Sequence, residues 1–271
     1  MTGQSNNTNT NAGSFNLVDL KPHSIEELTE VITCASFHPK HCNLFGYGTS
    51  KGSVRLGDMR ASALCDRACL CLNGMTSSHQ AATNTFFTEI ISSVSDFQFH
   101  PWEDHLIAAR DYLSVKIYDV RASTSSSSSS SSSNQALGPV HTLPVHDVFL
   151  KQKLCELYEN DCIFDRFKVS WAGTDSVVTG SYGNRVRVLS LNTDGVEELR
   201  ADRSAIMKTG KRGSHSSSTM DVLHSDTDTN IDSSRKALNV AVDPVMQTMA
   251  IGGTSNLYIF GKNPSAGSSR M

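Results

Sequence analysis

ITCASFHPKHCNLFGYGTSKGSVRLGDMR, from Ile32 to Arg60, and VSDFQFHPWEDHLIAARDYLSVKIYDVR, from Val94 to Arg121, are two copies of one pattern. Each opens with an alternating stretch that ends in Phe-His-Pro, at Phe37 and at Phe99. Each continues with a short apolar run, Leu44–Ser50 or His105–Arg110. Each closes with a β-rich run, Val54–Asp58 or Val115–Asp119, and a tail ending in Arg. Period-2 alternation over a few residues, bounded by Gly, Pro and Asn, marks strands. Two weaker copies follow, FKVSWAGTDSVVTGSYGNRVRVLS (Phe167–Ser190) and ALNVAVDPVMQTMAIGGTSNLYIFG (Ala237–Gly261). Four copies of a three-strand core at a spacing of about 60–70 residues predict a repeat architecture. The excess length sits in the connections 61–93, 122–162 and 191–236, each able to supply a fourth strand.

The expected fold is therefore all-β, a WD-repeat β-propeller of about four blades, with cores near 31–60, 94–121, 163–190 and 237–261. Gly57 and Tyr118 stand where a WD repeat ends in Trp-Asp, so spacing carries more of the assignment than the dipeptide. Blades bury their faces on one another. An open arc of four would leave two apolar faces exposed.

Composition narrows the function classes. The 271 residues carry 24 Lys+Arg against 27 Asp+Glu, a net charge of −3. That balance argues against a nucleic-acid binder, which is usually basic. No apolar run reaches the roughly 18 residues of a membrane span. The polar start MTGQSNNTNTNAGS lacks signal-peptide character, and seven irregularly spaced cysteines fit reduced thiols, so the chain is expected in the cytosol, with the nucleus as a second compartment. Only 38% of residues are hydrophobic and 19% charged, so polar filler must occupy part of the chain. It is visible at 1–14, at 123–134 with nine consecutive serines, and at 203–234, expected to be disordered like the flexible tail 263–271. The partial propeller is then 15–262, interrupted by these insertions.

Six ordered blocks are more specific than a WD pattern: EELTEVIT (Glu26–Thr33), DMRASALCDR (Asp58–Arg67), FFTEIISSVSD (Phe86–Asp96), ARDYLSVKIYD (Ala109–Asp119), LYENDCIFDRF (Leu157–Phe167) and NLYIF (Asn256–Phe260). Together they resemble the WD-repeat regulatory B subunit, the "55-kilodalton" class, of protein phosphatase type 2A. That family is a seven-bladed propeller, and the resemblance covers its C-terminal part, about the last four blades. The scaffold-gripping hairpin of an early blade has no counterpart here. The resemblance implies a non-catalytic targeting subunit, with the phosphatase scaffold and catalytic subunits and phosphoprotein substrates with basic segments as partners. The alternative is a truncated stand-alone interaction module that does not assemble with the phosphatase.

The family presents substrates from an acidic groove with apolar pockets on the propeller top. Carried over residue by residue, that groove falls on Glu26, Leu28, Val31, Phe86, Phe87, Cys155, Tyr158, Glu159 and Asp161. Acidic members would steer Lys/Arg-rich segments, and apolar ones would accept a short helix. The residues by themselves read more blandly. Leu28 and Val31 have the spacing of a buried helical turn, Phe86 and Phe87 on a strand would point to opposite faces, and Glu159-Asn160-Asp161 reads as a solvated loop. The stretch ACLCLNGMTSSHQAATNT, acidic in the family, has no acidic residue here. DSVVTGSYGN is one residue shorter than the family pattern, which would swap strand faces unless a bulge absorbs it.

Other constellations read as structural. His38 and His100 end strands before Pro and are expected to make fold-supporting hydrogen bonds; Arg60 and Arg110-Asp111 are expected to tie blades together. Cys65, Cys69 and Cys71 lack the partner spacing of a zinc site, and no phosphate-loop, zincin, nucleophile-elbow or dinucleotide motif occurs. Neither a metal, a cofactor nor a catalytic residue is expected.

Overall fold

The computed structural model describes residues 17–20, 24–61, 65, 70–74, 85–124, 136–146, 153–193, 195–201, 232–243, 245 and 248–261. The stretches 1–14 and 263–271, and most of 123–134 and 203–234, lie outside the described residues. Of the serine tract, Ser123 and Thr124 end a 3-10 turn, Val120–Thr124. At the other margin, Asp232 Oδ1 accepts from the Ser234 amide at 3.0 Å. No described helix is long and apolar enough to cross a membrane.

Four antiparallel sheets form in chain order. The first holds β1 (Ile32–Phe37), β2 (Leu44–Thr49), β3 (Ser53–Asp58) and β4 (Leu70–Asn73). The second holds β5 (Asp96–Phe99), β6 (Leu106–Arg110), β7 (Ser114–Asp119) and β8 (His141–Pro144). The third runs from β9 (Val169–Trp171) through β10 (Ser176–Gly180) and β11 (Arg185–Ser190) to β12 (Val196–Arg200). The fourth has three described strands, β13 (Asn239–Asp243), β14 (Thr248–Gly252) and β15 (Leu257–Phe260). β1, β5, β9 and β13 pack on one another in succession, so the sheets stack as propeller blades.

Neighbours explain the burial patterns. The second sheet lies between two others, and in β7 every residue but the last is buried. Its Val115 and Ile117 meet Val169, Trp171 and Val177 of the third blade, while Ile107 and Tyr118 meet Val54 and Leu72 of the first. Each such aliphatic side chain contributes about 1.5–3 kcal/mol on full burial. Polar groups lock the same interface. Asp96 accepts from Lys168 Nζ (3.0 Å) and the Val169 amide (3.1 Å), and Ser95 Oγ donates to the Phe167 carbonyl (2.8 Å).

The Phe-His-Pro signature has a structural meaning. His38 Nδ1 accepts from the amides of Lys40 and His41 at 3.1 and 3.2 Å. His100 Nδ1 accepts from Trp102 and Glu103 at 3.1 and 2.8 Å, which leaves its Nε2–H to donate to Thr174 in the next blade (3.2 Å). In the fourth repeat Asp243 does the capping, accepting from the Val245 amide at 2.9 Å.

Arg110 also crosses blades, donating to Thr179 Oγ1 at 3.2 Å. Arg60 does not. It is exposed and pairs with Asp58 at the end of its own strand, 2.7 Å from Nη2 to Oδ2, as Arg121 pairs with Asp119. The Asp-x-Arg tails are local clasps, because two residues bring the guanidinium back over the strand end. In the shortened third repeat β10 pairs with β9 and β11 without a register shift, and the adjustment sits at the hairpin end, where Ser181 and Tyr182 both oppose Arg185: the Ser181 amide donates to the Arg185 carbonyl (2.8 Å) and the Arg185 amide to the Tyr182 carbonyl (3.3 Å). Its hairpin closes on Gly183 (φ 68°) and Asn184 (φ 54°), the left-handed pair of a type I′ turn. The register irregularity lies in β1, between Ile32 and Cys34.

The two terminal faces differ. On the first blade, Phe45 and Tyr47 are covered by Leu17, Val18 and Leu20, with Cys65 and Met59. On the fourth, Leu257 and Ile259 are exposed.

Candidate functional site

Two short helices gather the aromatic residues. α1 spans Thr85–Ser92 and α2 spans Leu154–Glu159. Phe86 and Phe87 thus lie on a helix, not on the strand that their reading as opposite-facing neighbours assumed. Phe87, Ile90 and Ile91, at i, i+3 and i+4, turn toward the core; Phe86 and Glu89 turn outward. In α2, Leu154 and Leu157 are buried three residues apart, which leaves Cys155, Glu156, Tyr158 and Glu159 exposed.

α2 ends abruptly. The Asn160 amide donates to the Glu156 carbonyl (3.1 Å), and Asp161 takes a left-handed backbone (φ 57°). Asp and Asn tolerate that region better than most residues. The reversal starts a 3-10 turn, Cys162–Phe164, which buries Cys162 and Ile163 and leaves Phe164 outside.

Four rings therefore meet at the surface. Phe86 and Phe87 each approach Tyr158 edge-on, with centroids 5.4 and 6.0 Å away, and pack on one another at 5.3 Å. Phe164 closes the other side of Tyr158 at 5.8 Å. Phe86 is 55%, Phe164 53% and Tyr158 40% exposed. Such exposure of three large rings in one cluster is the feature that singles out this surface. Glu89, Glu156, Glu159 and Asp161 stand exposed on the same short elements.

Beside the rings lies a cleft of about 370 Å³, lined by Thr29, Thr33, Lys51, Glu89, Ile90 and Phe164 among others. Arg166, on its wall, donates to the Thr33 carbonyl and so ties the two sides together.

The floor is a buried polar network. Tyr182 Oη shares its one hydrogen between the Cys162 carbonyl (2.6 Å) and Asp165 Oδ2 (2.9 Å). With that hydrogen engaged, the Tyr112 hydroxyl supplies the one between the two tyrosines (2.9 Å). Asp165 is held in turn by Lys236 Nζ at 2.7 Å. Burial, the larger cause, pushes both tyrosine hydroxyls well above their usual range. They act as fixed dipoles, not as acids. Next to them, the buried Arg110 guanidinium sits 5.7 Å over the Phe167 ring, and desolvation pushes it down to about 10. The His146 ring stacks on Tyr182, and its pKa is driven well below 6.5 by burial and then by the charges of Arg110 and Arg187.

The structure thus brings Phe86, Phe87 and Tyr158 together, with Cys155, Glu159 and Asp161 on the adjoining helix and turn. Glu26, Leu28 and Val31 sit elsewhere, exposed on the segment leading into β1, where Thr29 faces the cleft. None of the three lines the cleft or makes a described ring contact with the aromatic cluster. The insertion without acidic residues falls largely outside the described residues. Phe164, Ile90 and Glu89 are the additions that sequence reading passed over, although two quoted blocks contain them.

One further cluster places metal-ligand types together: His38, His41 and Asp104 have donor atoms within 4.8 Å of one another. Its chemistry does not fit a metal. His38 Nδ1 accepts two backbone hydrogens, so Nε2 carries the ring proton. Lys40 already occupies Asp104 at 2.8 Å.

No protein-family profile matches the chain. Individual relatives do. The gamma isoforms of the serine/threonine-protein phosphatase 2A 55 kDa regulatory B subunit from Oryctolagus cuniculus, Macaca fascicularis and Homo sapiens are each 42% identical over 253 residues, which is 91% of this chain and 52% of the relative. The chain thus spans about half the length of the curated relatives it matches. With its four propeller-type sheets and its six blocks in order, the chain is similar over 91% of its length to about half of the 55 kDa regulatory B subunits of protein phosphatase 2A.

Proposed function

We propose that the chain is a non-catalytic targeting module of a Ser/Thr phosphatase, and that the cluster of Phe86, Phe87, Tyr158 and Phe164 is its docking surface for phosphoprotein substrates. The observation that carries the reading is the exposure of three of these rings over a rigid buried floor. Large rings on a preorganised surface are the usual anchors of binding energy. Glu89, Glu156, Glu159 and Asp161 would attract Lys/Arg-rich flanks of the substrate and raise its association rate. Holding a substrate near a catalytic subunit raises its effective concentration there, which is how a protein without catalytic chemistry changes a rate. The scaffold and catalytic subunits are the proposed assembly partners, and the cytosol the proposed compartment.

A second reading rests on the docking surface alone, since its rings and carboxylates all lie on this chain and need no other subunit to hold a peptide. It would bind substrates as a stand-alone WD-repeat module and compete with the longer family members.

Two measurements test these readings. Binding of a labelled basic amphipathic peptide should weaken with salt, and Glu159→Lys with Asp161→Lys should weaken it further. Unchanged affinity in both would reject the docking surface. Co-purification with scaffold and catalytic subunits supports the targeting module. Peptide binding without co-purification leaves the stand-alone module.

A further inference from the structure

The cleft beside the rings is lined by groups that donate hydrogen bonds. Lys51 stands in the turn between β2 and β3, and Arg166 between the 3-10 turn and β9. Both are exposed, and among the described residues neither pairs with a carboxylate; Arg166 gives one hydrogen to the Thr33 carbonyl. Four hydroxyls join them. Ser50 Oγ accepts from the Val31 amide at 3.1 Å, which leaves its own hydrogen to give. Thr33 Oγ1 meets the Cys34 sulfur at 3.8 Å, a weak acceptor. Thr29 and Ser93 bring hydroxyls without a partner among the described residues. Two carboxylates share the wall. Lys236 neutralises Asp165 at 2.7 Å, which leaves Glu89 alone against the two cations. The walls come from the entry to β1, the β2–β3 turn, α1 and the residues before β9. The cleft is thus bounded by consecutive blades of this chain and is not an end face of the stack.

We infer that this cleft binds a phosphate monoester, supplied by a phosphoserine or phosphothreonine of the docked protein and recognised there without chemistry. Such a group brings close to two negative charges and three acceptor oxygens. Two cations and four hydroxyls match that demand better than they match a carboxylate with its two oxygens. A Lys or Arg side chain would meet Lys51 and Arg166 as like charges. Phe164 belongs both to the cleft lining and to the ring cluster, so a peptide anchored on the rings carries its neighbouring residues to the cleft. In the source of the phosphate the inference rests on the proposed docking surface; in the phosphate site itself it does not.

Two arms test it on the full chain. In the first, O-phosphoserine alone is titrated while amide resonances are followed. Those of Ser50, Lys51, Ser93 and Arg166 should shift, those of Lys40 and Trp102 at the other end of the strands should not, and Lys51→Gln should abolish the shifts. This arm needs no docked peptide. In the second, the labelled basic amphipathic peptide is compared with versions that carry phosphoserine at successive positions beside the apolar stripe. One position should bind at least about tenfold tighter, and glutamate there should give about threefold or less. Lys51→Gln should remove the gain and leave the unphosphorylated peptide as it was, whereas Glu89→Gln should enlarge the gain. Resonance shifts with no binding of the unphosphorylated peptide reject the docking surface and uphold the phosphate site. Shifts with peptide binding but no gain at any position overturn the docked protein as the source and assign the cleft to small phosphate esters. Absence of both shifts and gain overturns the inference. So does a gain that survives Lys51→Gln or that glutamate matches.

Discussion

Replacing Tyr158 with Ala removes the ring on which the aromatic cluster converges. Tyr158 meets Phe86 at 5.4 Å, Phe87 at 6.0 Å and Phe164 at 5.8 Å. Aromatic pairs contribute about 0.5–1.5 kcal/mol beyond their burial. Partial exposure of the rings puts each pair at the low end, so three pairs give about 1.5–2 kcal/mol. For a chain of this size that lowers Tm by about 3–8 °C. An anchoring ring costs binding about 2 kcal/mol or more, a factor of about 30 in Kd. Tyr158→Phe keeps all three ring contacts and should change Tm and Kd little. Circular-dichroism melts and fluorescence anisotropy with a labelled peptide, carrying an apolar stripe and Lys/Arg on its other face, measure both quantities. If Tyr158→Ala lowers Tm but shifts Kd by less than about threefold, the cluster is only a structural plug. If Tyr158→Phe is as damaging as Tyr158→Ala, the hydroxyl and not the ring is the determinant.

Two predictions concern the stack itself. A Cβ at Gly180 would lie 1.6 Å from the Ala237 carbonyl oxygen, so Gly180→Ala must part the third and fourth blades by at least about 1.4 Å to reach a tolerable contact; we expect about 3 kcal/mol or more of destabilisation, and an unaltered urea midpoint would contradict this packing. Burial holds the pKa values of His38, His100 and His146 below 6.5 in the folded chain. As pH falls below about 6.5 the unfolded chain takes up protons that the folded chain refuses, so stability drops by up to about 1.4 kcal/mol per pH unit for each ring until its folded pKa is reached. The urea midpoint should decline on that side of neutrality, His146→Gln should flatten the decline by about one proton, and a flat profile in the parent chain would refute the burial argument.

The strands were legible because each repeat states its period plainly. FHP at Phe37 and Phe99 marked the strand ends, and the histidines there do the backbone capping that their position before Pro implied. In β15 the residues Leu257-Tyr258-Ile259-Phe260 are apolar throughout and carry no period, so the repeat placed that strand, and only its burial alternates. In β7 the polar-apolar alternation of Ser114-Val115-Lys116-Ile117 has no counterpart in burial, since a blade between two others buries both faces. Arg60 was misjudged for a related reason. A sequence shows that an arginine follows a strand, but not whether its reach crosses a blade. In Asp-x-Arg the nearest carboxylate lies two residues back, and geometry favours it. The third repeat keeps its strand register, and the change in length is taken up at the hairpin end, where Ser181 and Tyr182 together oppose Arg185 before the left-handed Gly183-Asn184 turn.

The site was legible only in pieces, and the reason is physical. An isolated Phe-Phe pair carries no period, so nothing local assigned it to a helix; the assignment comes from Ile90 and Ile91, which extend Phe87 into an i, i+3, i+4 stripe against the core. Once Phe87 is fixed inward, Phe86 must point out, and its exposure follows from the helix geometry and not from any property of the residue. Phe164 depends on a still longer chain of causes. α2 must bury Leu154 and Leu157, Asp161 must enter the left-handed region, and Cys162 and Ile163 must turn inward before Phe164 is forced to the surface beside Tyr158. The surface is thus the by-product of core packing on two elements far apart in sequence. The same logic separates Glu26, Leu28 and Val31 from the rings, for no core contact draws their segment across the cleft to them. A partner that needs both must span the cleft; one that needs only the rings will bind equally well to Leu28→Ala. Parallel titrations of Leu28→Ala and Phe164→Ala with the same peptide distinguish the two, and equal loss in both would extend the docking surface across the cleft.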